Sequence, residues 1–140
     1  MKEIEEIIKI KKEPIQVEVN WKGDGFFEAD IGNFKLPLNG PNANFTPAEL
    51  LLVSIGGCYI SKFQKIAEKM RINLSDLKLK IVGLKEEDFP RFLKIDVVVK
   101  AKAKNVDKDK LQRVFNLAEK YCTVTNTLKS TPEVHFSLEQ

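Results

Sequence analysis

The chain has 140 residues, an apolar share of 43% and a formal net charge of +3, the dimensions of a single domain over 1-140 whose core needs no metal or disulfide staples. No stretch reaches the roughly 18 apolar residues of a membrane span, and Met1-Lys2-Glu3-Ile4-Glu5-Glu6 carries acids without an apolar secretion segment, so a cytoplasmic protein is expected. All but three of the 23 basic residues, Arg71, Arg91 and Arg113, are lysines scattered among 20 acids, which argues against a nucleic-acid partner; no membrane partner is expected either.

In chain order, residues 4 to 12 suit a strand somewhat better than a helix. Ile15, Val17, Val19 and Trp21 alternate with polar residues as in a half-buried strand, Lys22-Gly23-Asp24-Gly25 supplies a turn, and a strand returns from Phe26 to Ile31. Leu36-Pro37-Leu38-Asn39-Gly40-Pro41-Asn42 is rich in turn formers and is expected as a loop or flap. Thr46, Pro47 and Glu49 then fall at N-cap, N1 and N3, the arrangement of a capping box opening a helix. Between Leu50 and Ile60 only Ser54 is polar, so burial all round is expected there; Lys62, Lys65, Glu68 and Lys69 mark where the helix emerges.

Leu77, Leu79 and Ile81, and then Ile95, Val97 and Val99, predict two strands of a hairpin joined around Glu86 to Pro90. The run Lys100, Lys102, Lys104 alternates with Ala101 and Ala103 and reads as a lysine-lined outer face. Asp107 caps a second helix whose apolar residues Leu111, Val114, Phe115, Ala118 and Cys122 keep the i, i+3, i+4, i+7 rhythm, turning Cys122 inward. Val134, Phe136 and Leu138 alternate with polar residues as a last strand. Strands around two long helices make an α+β domain.

The candidate chemistry is carried by Cys58 and Cys122. In a reducing compartment such cysteines are free, metal-binding or catalytic. Cys58 follows Gly56 and Gly57, and each glycine costs a helix interior about 1 kcal/mol relative to alanine, so close approach to this backbone is expected. Both cysteines lie on inward helical faces and are expected as neighbours. His135, the single histidine, sits on the polar side of its strand and is expected at the surface. Zinc-ligand spacing, a Gly-x-Ser-x-Gly elbow and a phosphate loop are all missing, so neither metal nor cofactor is expected.

The segment Thr46-Pro47-Ala48-Glu49-Leu50-Leu51-Leu52-Val53-Ser54-Ile55-Gly56-Gly57-Cys58 resembles the central-helix signature of the OsmC/Ohr family, and Leu117-Ala118-Glu119-Lys120-Tyr121-Cys122-Thr123-Val124 is similar to its second cysteine motif. The resemblance implies an OsmC-like fold: two central helices packed against mainly antiparallel sheets in an intertwined homodimer, with strands from both chains. It also implies a thiol peroxidase in which Cys58 is oxidised by an organic hydroperoxide to a sulfenic acid, forms a disulfide with Cys122, and is reset by a lipoyl-type dithiol reductant. The family's peroxidases carry a glutamate directly after the helix-opening proline and an N-terminal arginine. Here Ala48 follows Pro47 and no arginine precedes Arg71, as in a less characterised OsmC-like subgroup. Lys9, Lys11 and Lys12 are candidates to activate Cys58 instead. Two other functions remain on the same fold: a non-catalytic dimeric module holding a small ligand, and a thiol redox sensor.

Overall fold

The computed structural model describes residues 13–140, so the strand expected over residues 4 to 12, and Lys9, Lys11 and Lys12, lie outside the described residues. The described chain divides into two compact units, one reaching Val53 and one comprising Ser54–Gln140.

In the first unit, β1 (Glu18–Gly23), β2 (Phe26–Ile31) and β3 (Phe34–Asn39) form an antiparallel sheet in that order. The turn between β1 and β2 has positive φ at Gly23, Asp24 and Gly25, which accounts for its two glycines and its aspartate. Strand β1 starts later than the alternation suggested, leaving Ile15 and Val17 outside regular structure. The expected loop from Leu36 is corrected: residues up to Asn39 belong to β3, and Pro37 is tolerated because β3 is an edge strand. One face of the sheet is polar, where Asn20 Nδ2 and Lys35 Nζ reach Asp30 at 3.0 and 3.1 Å. On the other, Trp21 and Phe34 are largely exposed.

Helix α1 (Pro47–Lys69) begins with the expected capping box. Glu49 Oε1 accepts from the Thr46 N–H at 2.8 Å, and Thr46 Oγ1 accepts from the Glu49 N–H at 3.2 Å. The expectation of all-round burial from Leu50 to Ile60 is corrected. Ile55, Gly56 and Tyr59 are buried, whereas Val53, 63% exposed, and Gly57, four residues on and on the same face, are open.

The second unit has two layers. Strands β4 (Asn73–Lys85) and β5 (Phe92–Lys104) form a long antiparallel hairpin, and the helices pack on its inner face. Phe63, Ile66 and Ala67 of α1 meet Val114 and Ala118 of α2 (Lys108–Lys120) in a core lined by Leu77, Leu79, Val99 and Ala101. These are the inward residues of both periodicities, 3.6 for the helices and 2 for the strands. Asp107 caps α2 through Oδ1, which accepts from the Lys110 N–H at 2.8 Å. Tyr59 Oη donates to the Phe115 carbonyl at 3.2 Å, and its ring lies edge-on to Phe115 at 6.2 Å, tying α1 to α2.

Two further expectations are corrected. The second helix ends at Lys120, and a separate short helix, α3 (Thr123–Lys129), follows with Cys122 as its N-cap. The strand expected after Pro132 is not formed, and Val134, Phe136 and Leu138 are exposed, Phe136 at 96%. The alternation is present, but no strand among the described residues pairs with this segment.

Gly56 explains one of the two helical glycines. A Cβ there would stand 3.1 Å from Ile81 Cδ1, closer than ordinary packing allows, so the glycine lets α1 sit directly on β4. Gly56→Val should therefore lower stability by about 1–3 kcal/mol through overpacking, measured as a drop in the urea midpoint at unchanged slope.

Candidate active site

The site is built where α1, the end of α2 and the start of α3 meet. Gly56 brings α1 against β4, and Tyr59, beside Cys58, fixes α1 to α2. Cys122, fully buried, packs into the same core as Cys58, which is only half-buried. Their thiols lie close enough to influence each other, and both are free. The two residues that the sequence singled out are thus brought together, at the edge of the core rather than in its middle.

Helix α3 determines what else reaches the sulfur. The first N–H groups of a helix have no partner within it, and Cys122, although the N-cap residue, makes no side-chain capping bond. The backbone amides of Thr123 and Val124 lie close enough to Cys58 to lower its pKa, so the helix start is turned toward a sulfur on α1. Two backbone amides and a second thiol are thus among the polar groups that act on Cys58.

These surroundings push in opposite directions. Burial raises the Cys58 pKa and is the largest influence; the Val124 amide lowers it; the neighbouring Cys122 thiol raises it again; the Thr123 amide lowers it. Burial prevails, and the pKa lies above that of an ordinary cysteine. Tyr59 is likewise held protonated by burial first and by the nearby Glu119 and Cys122 second. The amides favour negative charge on Cys58 once that charge develops.

His135 is exposed at the surface, 3.2 Å from Glu133, as expected. No cluster of metal-ligating side chains occurs among the described residues. Helix α3 is the part of the site that sequence reasoning missed. The signal was the run Thr123-Val124-Thr125, three β-branched residues that weaken helix continuation directly after Cys122.

An α+β chain with a thiol pair at the start of a short helix is the class that these features define. The family model described as OsmC-like protein matches residues 40–137, and the chain belongs to that family. A curated relative, Protein YhfA of Escherichia coli (strain K12), is 25% identical over 130 residues, covering 89% of this chain and 97% of that protein. Among solved structures, the OsmC like protein from Mycoplasma pneumoniae superposes with a TM-score of 0.74 at 16% identity, over 86% of this chain and 91% of that one. The Organic Hydroperoxide Resistance Protein OhrB of Bacillus subtilis gives 0.54 at 20%, over 83% and 90%. The fold is OsmC-like.

Two measurements probe the site. Because the Cys58 pKa is raised, the thiolate is the minor form at neutral pH, so alkylation by iodoacetamide should accelerate with pH through a midpoint above that of a free cysteine; a midpoint below neutrality would refute the dominance of burial. Glu49→Gln should leave that reactivity unchanged, since Glu49 is engaged at its own helix start, and should cost at most about 1 kcal/mol in thermal or urea unfolding.

Proposed function

We propose that the chain is a cysteine-based thiol peroxidase that reduces organic hydroperoxides. The observation that carries this reading is the closeness of two free thiols, one half-exposed and one buried. Cys58, as thiolate, attacks the outer peroxide oxygen; an S–O bond forms, the O–O bond breaks, and the alcohol leaves after taking a proton. Cys122 then attacks the sulfenic sulfur, water departs, and a disulfide remains. A lipoyl-type dithiol returns both cysteines to thiols by two exchanges and itself becomes a disulfide. The amides of Thr123 and Val124 stand in for the charged pair that is missing at Ala48 and ahead of Arg71. Cys58 packs against an apolar core, which favours an organic peroxide over hydrogen peroxide. A solved relative of the same fold is named for organic hydroperoxide resistance.

The working form in this reading is a homodimer. The open face of α1 at Val53 and Gly57, and the exposed alternation of Val134, Phe136 and Leu138, are apolar surface that a second copy would cover. The raised pKa of Cys58 favours a second reading, a slow thiol sensor or ligand-holding module on the same fold, in which the disulfide forms without rapid turnover.

Dithiol consumption with a panel of hydroperoxides separates the two. Wild type should turn over organic hydroperoxides faster than hydrogen peroxide, Cys58→Ser should abolish turnover, and Cys122→Ser should stop after one equivalent with Cys58 trapped as a sulfenic acid. A disulfide that forms in wild type without sustained consumption would select the sensor. Sedimentation at micromolar concentration should give a dimer that Val53→Glu dissociates.

A further inference from the structure

A cavity of about 330 Å³ opens between α2 and β5 over Phe63 of α1, and among the described residues neither cysteine lines it. Its walls follow from two periodicities. Lys108, Leu111, Gln112 and Phe115 fall at i, i+3, i+4 and i+7 and make one stripe of α2. Val99 and Ala101 are successive inward positions of β5. The space itself comes from unequal side chains across the hairpin. The ladder sets Val99 opposite Leu79 and Ala101 opposite Leu77, so the inner face is filled on the β4 side and left short on the β5 side, beneath the start of α2. Val99, Ala101, Leu111 and Phe115 therefore stay only partly buried, although they pack against the core.

The polar groups of this cavity lie together on α2. Lys108, in the first turn, is exposed, and no ion pair engages it among the described residues. Asp107, the acid before it, is occupied at the Lys110 N–H as the helix cap. Gln112, one turn on, gives one amide hydrogen to Asn116 Oδ1 at 3.0 Å and keeps the other for a ligand. An ammonium and an amide above an apolar slot are complementary to a carboxylate carried on an apolar body. A gap between a helix layer and a sheet is flat, and Phe115 adds an aromatic wall, so a planar ring suits it better than a bulky aliphatic one. At about 30 Å³ each, the space equals about eleven waters, the small end of ligand sites. We propose that the slot between α2 and β5 binds a small aromatic carboxylate, its ring between Phe115 and Ala101 and its carboxylate at Lys108 and Gln112. The site is separate from the thiol pair, so the proposal stands whichever chemistry the cysteines perform.

Methyl NMR spectra of the full chain titrated with benzoate test it. Shifts are expected at Val99, Ala101 and Leu111, weaker with cyclohexanecarboxylate, which is of similar size but not planar, and none with benzylamine, which is cationic at neutral pH. Lys108→Gln should weaken benzoate binding about three-fold. Lys108→Glu should abolish it yet raise the thermal midpoint, because a carboxylate suits the first turn of a helix, so loss of binding is separable from loss of fold. Ala101→Leu should abolish binding with the midpoint held or raised, since the larger side chain enters space that is already there. A lowered midpoint would show that the slot is filled without a ligand and would overturn the proposal, as would benzylamine or cyclohexanecarboxylate binding as tightly as benzoate. Protein alkylated at Cys58 should bind benzoate as the untreated protein does; loss on alkylation would place the ligand at the thiol pair instead. Absence of shifts at millimolar benzoate, with the same methyl signals moving when the protein alone is concentrated, would assign the slot to a second copy of the chain and end the proposal.

Discussion

The closeness of two backbone amides, Thr123 and Val124, to Cys58 is the feature on which the site depends. It joins the start of one helix to the middle of another and sets the position of Cys122 between them. The glycine at position 56 and the Tyr59 hydrogen bond to Phe115 serve the same end, holding α1 close to β4 and to α2.

The electrostatics of the pair follow from that geometry. A carboxylate and a guanidinium would activate a thiol strongly; two amides in a half-buried pocket activate it weakly, and burial still prevails. What the amides provide is direction. They are fixed by the backbone, cost no reorganisation when negative charge develops, and lie at the sulfur on α1.

Much of this was legible in the sequence because it rests on local rules. The capping box at Thr46, the N-cap at Asp107, the hairpin and the inward set of α2 are statements about neighbours in the chain, and each is found in the structure. The closeness of Cys58 and Cys122 follows from the inward-facing positions at both cysteines. What the sequence hid depends on partners elsewhere. Val53 is as apolar as Ile55, and only tertiary cover decides that one is exposed and the other buried. Val134, Phe136 and Leu138 alternate as a strand does, yet alternation cannot supply the neighbouring strand on which a ladder depends. Pro37 suggested a loop because its consequence differs between an edge and a central strand, and strand order is not a local property.

Helix α3 has seven residues, too few to persist in water on propensity alone. Its opening amides face a residue far back in the chain, so an element that looks local is governed by long-range contact. In the order of folding it belongs late: the hairpin must form and α1 must settle on it before the last helix has anything to begin from.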